Sequence, residues 1–488
     1  YNLHSVIADD PPTLFHWRKE TTSLAFIDTL NYFRSSLEAI GEEFGQQKLS
    51  MPPLNASQTE WDTYCKNDCD ILRLVMLDFL GFIQESDLGN FQLTLASQSF
   101  TAFRHRFMSH EILIDTNSRA LGLARKAYMG GRTESFWIGS VPEGCYLVDI
   151  NSQYPAVMAR EHYPTFLRGV WYDVSNAELR ELLTDYSVIV ECEIDTTIPC
   201  FPVRHNGRLV FPTGTFETTL TTPEVLHALD VCAEVRIKQV ACYRQAPIFK
   251  EYVEYFYRNR LAAKRRGDTA TAYMLKIFMN SLYGKFGQSG RRFIDEGESD
   301  DFTARTWTEI DYDTNVIQRY RQIGTLIQRE VREGESFNSH PAIAAHVTAF
   351  GRLDLWRYIQ IAGCNNTFYT DTDSLVVNEK GLANLQPWLN DSELGALKLE
   401  DGPFDFHIYG AKDYRIRDVA TIKGVRKNAI EQAPGVFEQD TFRGLRGMFR
   451  DGEVDTQIIS RGLKHLTRVY RKGNAPAHGR ITPYVFPL

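Results

Sequence analysis

The stretch FYTDTDSLVV, Phe368–Val377, sets two carboxylates, Asp371 and Asp373, between two apolar, β-branched runs. This pattern predicts a β-hairpin with both acids at its tip, spaced so that both can face one way. Like charges held close push one another toward protonation, whereas a divalent cation reverses that penalty and takes carboxylate oxygens as its preferred ligands. A solvated polar turn is the commoner origin of Asp-x-Asp, so the chemical reading depends on what accompanies the pair. CYLVDINSQYPAVM, Cys145–Met158, supplies a second carboxylate: an apolar strand ends at Asp149 and turns into Tyr154-Pro155. An acid there is costly unless solvated or bound. Metal ligation is the functional reading, and an Asp capping the turn is the plain one.

Other elements must position these acids. Ile248–Phe286 predicts a long helical hairpin broken near Arg266-Gly267-Asp268. Arg260 and Lys264 stand one turn apart on its first arm, and Lys276, Asn280 and Tyr283 form a stripe on the second. Cation, amide and ring on one stripe suit a nucleotide, with triphosphate on the cations and base against the ring. YMGGR, Tyr128–Arg132, pairs glycines after an aromatic and reads as a turn or as a close backbone approach to a ligand. FWIGSVPEGCYLVDI follows as two strands around a Pro-Glu-Gly turn. Residues 20–90 read as mainly helical: Ser35 is the expected N-cap of a helix stopping at Gly45, and a second helix places Tyr64 and Asp68 on one face. Trp171–Ala246 resembles a separate small α+β insertion, and residues 288–340 a β-hairpin insertion. HPAIAAHVTAFGRLDLWRYIQIAG reads as an amphipathic helix leading into the Asp371 hairpin. GAKDYRIRDVATIKGVRKN, with Lys412, Tyr414, Lys423, Arg426 and Lys427, alternates as strands. The last fifty residues read as basic and helical with a Pro-rich tail.

Length and composition, 488 residues with 43% hydrophobic and 24% charged, bound the chain to several subdomains of a soluble globular protein. No apolar run reaches bilayer length, and YNLHSVIADDPP has no signal-peptide pattern. The missing initiator Met suggests that the true N-terminus lies upstream. Eight scattered cysteines without a C-x-x-C pair favour reduced thiols over disulfides or zinc. A net charge of -8 conceals Lys250–Arg292, with ten Lys/Arg against three Asp/Glu, and a second basic stretch at Arg461–Lys472. Basic segments in an acidic chain are compatible with a phosphate-tracking cleft, although each alone is more often a solvated helix face.

Five motifs, in order, give the chain a family. DINSQYP, KIFMNSLYGKFG and FYTDTDSLVV resemble the three polymerase motifs of family B DNA polymerases, AKDY that family's K-x-Y motif, and YMGG its Y-x-G-G element. The resemblance covers roughly Tyr128–Tyr414. Insertions at roughly Leu167–Ala246 and Ser289–Asn338 are similar in position to the two terminal-protein regions of protein-primed polymerases of phages and linear plasmids. Primer-independent relatives share this plan.

The resemblance implies an α+β multi-domain fold, a right-hand polymerase of palm, fingers and thumb with a partial ribonuclease H-like 3′–5′ exonuclease domain at the N-terminus. The implied segments are 1–110 exonuclease-like, 111–166 linker and start of palm, 167–246 first insertion, 247–288 fingers, 289–338 second insertion, 339–435 palm and 436–488 thumb. Asp149, Asp371 and Asp373 would be catalytic, with Asp149, Asp373 and the Ile150 carbonyl holding two Mg²⁺ ions, for which Mn²⁺ is a substitute. Tyr154, Arg260, Lys264, Lys276, Asn280 and Tyr283 would bind the nucleotide, Tyr154 excluding a 2′-hydroxyl. Tyr128, Gly130, Gly131, Ser281, Gly284, Thr372, Lys412 and Tyr414 would hold DNA. Implied partners are a DNA primer–template, dNTPs and a terminal protein primer, for a monomer of the cytoplasm that engages no membrane. Two features depart from the pattern. Gln153 replaces Leu in the first motif. Tyr64 and Asp68 match the third exonuclease motif, but the carboxylates of the first two are not found, which implies either that this chain begins partway through an exonuclease domain, as the non-Met start favours, or that the domain is degenerate. A catalytically silent DNA-binding scaffold is the reading from another class; it predicts eroded metal carboxylates, which are intact here.

Overall fold

The computed structural model describes residues 2–8, 13–53, 55–311, 316–426, 428–442 and 459–486. The chain divides into two compact units, residues 1–106, 258–337 and 440–462 in the first and 107–257, 338–439 and 463–488 in the second. The K-x-Y region's Lys427 and the thumb segment 443–458 lie outside the described residues.

In the first unit, strands Asn2–Ala8, Thr13–Lys19 and Thr22–Ile27 form an antiparallel sheet. Helix Leu37–Glu43 follows, and its N-cap is Ser36 rather than Ser35: the Ser36 hydroxyl accepts the Ala39 N–H, and so Glu38 falls too early to close a capping box. Helix Gln58–Glu85 does begin with such a box, Ser57 with Glu60. Its inner face is apolar because Ile71, Val75, Phe79 and Ile83 recur every four residues. Phe79 packs against Tyr32 and Phe33 with ring centroids 5.2 and 5.5 Å apart, and against Phe278 of helix Thr269–Ser281 at 5.9 Å. The predicted break holds: Gly267 adopts φ 73°, and Asp268 caps the helix through the Thr271 N–H. Ser289–Asp311 and Val316–Glu335 pair as one long antiparallel ribbon, interrupted by bulges.

Among its described residues the second unit contains three five-stranded sheets. The one that matters most runs, in spatial order, Leu397–Phe404, Cys145–Ile150, Ser374–Asn378, Thr367–Asp371 and Thr133–Ser135, all antiparallel. A second contains Thr213–Thr221, Tyr186–Thr196, Glu234–Ala246 and Tyr163–Tyr172, with Val485–Phe486 added in parallel at its edge. The third joins Val419–Ile422, Asp413–Ile416, Phe406–Gly410, Trp137–Ser140 and Gly479–Arg480. The two strands flanking the Pro-Glu-Gly turn therefore do not pair with each other; they enter different sheets.

Three expectations change here. The segment Trp171–Ala246 is not packed separately: Val188, Val190 and Ile194 share one apolar cluster with Val148 and Ile150, with Leu375 and Val377, and with Leu355 and Ile359. Helix Pro341–Ala362 is amphipathic only in its second half, where Arg357 and Gln360 are exposed; every residue from Pro341 to Ala349 is buried, because the first half lies against helices and strands on several sides. The C-terminal stretch is extended rather than helical among the described residues: Val436–Phe442 and Ile459–His465 are strands, and Arg468, Tyr470 and Lys472 turn inward while Val469 and Arg471 are exposed, a period of two. No helix among the described residues is long and apolar enough to cross a membrane.

Candidate functional site

The hairpin predicted at Asp371–Asp373 is present: strands Thr367–Asp371 and Ser374–Asn378 pair with Asp371 opposite Ser374, leaving Thr372 and Asp373 as the turn. Register carries the site across the sheet. Asp149 is opposite Ser374 and Thr133 opposite Asp371, so Thr133, Asp371, Ser374 and Asp149 form one row, with Lys398 next to Asp149 at its far end. Residues in register on antiparallel strands share a face. The alternate residues Val148 and Ile150 point into the core, and this alternation presents Asp149 on the opposite face.

The turn is held from both sides. Thr372 adopts φ 64°, a left-handed conformation that a β-branched residue resists, and its N–H donates to the Arg132 carbonyl at 2.7 Å. The Ile150 N–H donates to the Asp373 carbonyl at 2.8 Å, joining the tip to the end of the Asp149 strand. Asn151, two residues after Asp149, bonds a loop at Asn390–Ala396 through its N–H, its carbonyl and its side-chain amide.

The two hairpin carboxylates differ. Asp371 Oδ1 accepts from Thr133 Oγ1 at 2.9 Å and Thr372 Oγ1 at 3.3 Å, and lies 3.3 Å from Lys412 Nζ. Burial raises the Asp373 carboxyl above the ordinary carboxylate range, and the charge of Asp371 adds to the rise while Lys412 opposes it. A cation near Asp373 and Asp149 would relieve that cost, so the donor set fits a hard divalent ion. Among the described residues no three His, Cys, Asp or Glu side chains already converge as a ready cage. An open cavity of about 430 Å³ is lined by Leu147, Tyr369, Asp371, Asp373, Lys412 and Tyr414. The Tyr369 hydroxyl accepts the Lys412 N–H at 3.0 Å, and its ring lies 5.1 Å from that of Tyr414.

Tyr154 borders this hairpin through Gly131. A Cβ on Gly131 would stand 2.7 Å from Thr372 Cγ2 and 2.9 Å from the Tyr154 hydroxyl. The second glycine of YMGG is therefore required by close packing on the tip, independently of any ligand. Gln153, the departure from the motif, is buried and donates to the Gly351 carbonyl at 2.9 Å. Arg352, next to Gly351, is 3% exposed; it donates to the Met129 and Gly130 carbonyls at 2.9 Å and pairs with Glu224 at 2.7 Å. Arg132 is equally buried, paired with Glu134 at 2.6 Å and stacked on Phe211 at 4.1 Å.

The remaining expected residues lie elsewhere. Tyr128 is half-buried, and Gly130 is exposed in the loop that Arg352 holds. In the first unit Lys264, Lys276, Asn280 and Gly284 are exposed, and Arg260, Ser281 and Tyr283 half-buried. Helix Thr269–Ser281 ends before Tyr283, which opens the short helix Tyr283–Phe286, but Leu282 between them keeps helical dihedrals. Tyr64 and Asp68 do share a face, and Lys48 bridges them, at 2.5 Å from the Tyr64 hydroxyl and 3.1 Å from Asp68 Oδ1. Thr133, Arg352 and Glu224 carry no signal in the sequence, and Lys472 only that of a basic stretch. Each is an ordinary polar residue in its local pattern, and only pairings across long separations give it a place.

The fold is shared with solved DNA polymerases. The structure superposes on phi29 DNA polymerase complexed with primer-template DNA and incoming nucleotide substrates with a TM-score of 0.65 at 15% identity, covering 93% of this chain and 83% of that one. Residues 36–331 match the family described as DNA polymerase type B, organellar and viral, and the chain belongs to that family. It is 24% identical over 371 residues to a probable DNA polymerase of Neurospora intermedia, covering 72% of this chain and 37% of that protein. It is 26% identical over 301 residues to the DNA-directed DNA polymerase of Enterobacteria phage PRD1, covering 60% of this chain and 50% of that protein. The chain thus spans half or less of the length of either relative.

Proposed function

We propose that this chain carries out template-directed DNA synthesis, adding deoxynucleotides to a 3′-hydroxyl. The observation that carries the reading is the register row that sets Asp149 one strand from Ser374 and two from Asp371, with Asp373 at the adjoining turn. In the right-hand plan, the second unit's carboxylate sheet belongs to the palm, helices Lys250–Arg265 and Thr269–Ser281 to the fingers and Ile459–His465 to the thumb; the N-terminal sheet and helices are the exonuclease-like part.

Asp149, Asp373 and the Ile150 carbonyl would hold two Mg²⁺ ions, which when bound activate the attacking hydroxyl and neutralise charge on the triphosphate and leaving pyrophosphate. Asp371 keeps Lys412 and Thr133 in place beside them. Tyr154, packed against Gly131, bars a 2′-hydroxyl. Arg260, Lys264 and Lys276 grip the triphosphate, and Asn280 and Tyr283 shape the base-pair pocket. Lys412 and Tyr414 steady the primer end; Tyr128, Gly130, Gly131, Ser281, Gly284 and Thr372 contact DNA backbone, which positions without reading sequence. Membership of the organellar and viral type B family and the likeness to the phage polymerases support the protein-primed branch, with a terminal protein supplying the first hydroxyl. Extension of a primed template with Mg²⁺ and four dNTPs, beside a primer-free lane, tests both parts: product in the primer-free lane would replace protein priming with self-initiation.

A further inference from the structure

Strand Thr133–Ser135 is the edge of the carboxylate sheet and the neighbour of Asp371. An edge strand leaves alternate backbone groups on its outer side without a strand partner. Here the C-terminal segment supplies those partners with side chains. Lys472 Nζ donates to the Thr133 carbonyl at 2.7 Å, and the Tyr470 hydroxyl accepts the Ser135 N–H at 3.1 Å. One residue on, the Phe136 carbonyl accepts the Ile481 N–H at 3.0 Å. The period-two inward set is completed by Arg468, which pairs with Asp413 at 3.0 Å and stacks on Tyr409 at 3.6 Å. Farther along, Arg480 donates to the Cys364, Asn365 and Thr367 carbonyls, where the hairpin's first strand begins.

Lys472 is the member of this set that the chemistry described so far leaves unexplained. Burial pushes its amine below the ordinary lysine range, opposed by the charges of Glu134 and Asp371. Taking an ammonium partly out of water is costly, and a methionine would plug the same space without the penalty. What Lys472 does that a methionine cannot is hold the backbone of Thr133, whose hydroxyl donates to Asp371 Oδ1.

We propose that Lys472 is a positioning residue for the Asp371 carboxylate, acting through Thr133, so that the C-terminal segment completes the carboxylate site. This rests on the polymerase reading. The ammonium fixes the edge strand, the edge strand fixes the Thr133 hydroxyl, and that hydroxyl sets one oxygen of Asp371 beside Lys412.

The test measures kcat and KM for dNTP on a primed template, together with thermal unfolding, for the wild type, Lys472→Met, Lys472→Arg, Thr133→Val and the Lys472→Met/Thr133→Val double variant. Lys472→Met is expected to lower kcat about 10-fold with KM for dNTP within about twofold, and Lys472→Arg to restore most of the loss. The double variant is expected to be no slower than the slower single one, since both changes release the same carboxylate. Tyr470→Phe, which keeps the ring and loses only the acceptor of the Ser135 N–H, is expected to lower kcat in the same direction, and it carries the test if Lys472→Met does not fold. A wild-type kcat in the Lys472→Met and Tyr470→Phe variants would overturn the proposal, as would losses that multiply in the double variant. Failure of the wild type itself to extend the primer would overturn the polymerase reading, a result distinguishable from either.

Discussion

The Thr372 N–H donates to the Arg132 carbonyl at 2.7 Å, tying the carboxylate turn to the residue that ends YMGGR, 240 positions earlier in the chain. Gly131 is pressed between Thr372 and Tyr154 as a consequence. Gly131→Ala is therefore expected to destabilise the protein by about 1–3 kcal/mol through overpacking and to slow incorporation. Adding Thr372→Ser, which removes the Cγ2 methyl that the new Cβ would meet, should recover part of both. Denaturant unfolding and primer extension of the single and double variants check this; an unaltered single variant would mean that the loop relaxes freely.

Tyr154→Val should raise ribonucleotide incorporation relative to deoxynucleotide, because the ring beside the hairpin would no longer fill the space a 2′-hydroxyl needs. The readout is the ratio of kcat/KM for the two sugars, and an unchanged ratio would remove Tyr154 from the gate.

Arg352 and Glu224 form a buried pair that also holds the Met129 and Gly130 carbonyls. Arg352→Met leaves Glu224 buried without its partner and should cost about 3–5 kcal/mol in urea unfolding. Arg352→Met with Glu224→Gln should cost less than Arg352→Met alone, although the two carbonyls still lose their donor.

Gln153 offers a change of the opposite sign. Its Oε1 is buried without a hydrogen-bond partner, and the Gly351 carbonyl that its amide reaches lies within helix Pro341–Ala362. Gln153→Leu, which restores the residue usual in the first motif, should raise stability by about 1 kcal/mol, seen as a higher Tm.

The Asp373 carboxyl fixes a pH dependence. Its folded-state value lies above the ordinary 3.8, so the folded chain binds more protons than the unfolded one between those two values. Without a divalent ion, stability is lost as pH rises from 3.8 through the raised value. Mg²⁺ or Mn²⁺ should restore it, with a Tm increase at pH 8 that shrinks toward pH 4. Asp373→Asn should match or exceed the ion-free wild type at pH 8 and gain little from either ion. An equal ion response in the variant would argue against the site.

The acids were legible in the sequence because each interrupts a strand pattern: Asp149 closes an apolar run, and Asp371 and Asp373 flank the only polar turn in FYTDTDSLVV. The break at Gly267-Asp268 was legible from turn chemistry. What the sequence hid depends on tertiary partners. Arg461, Lys464, Arg468 and Arg471 fall at spacings of three and four that suit a helix, yet the inward set is Arg468, Tyr470 and Lys472: Asp413 takes the first, and the edge-strand groups of Ser135 and Thr133, 335 and 339 residues away, take the other two. Helix Pro341–Ala362 carries three charges within six residues, Arg352, Asp354 and Arg357, yet Arg352 lies on a different side of the helix from the other two and spends its charge on Glu224 inside the protein. Ser36 displaced Ser35 as a cap by one residue, a difference that a pair of serines cannot reveal.

The most direct test of the central claim is extension of a labelled primer on a template of defined sequence, with Mg²⁺ and four dNTPs, by the wild type and by Asp149→Asn and Asp373→Asn. The account predicts template-complementary extension by the wild type, loss in both variants and retained DNA binding in all three. Extension by Asp373→Asn at the wild-type rate, or DNA binding without extension by the wild type, would contradict it.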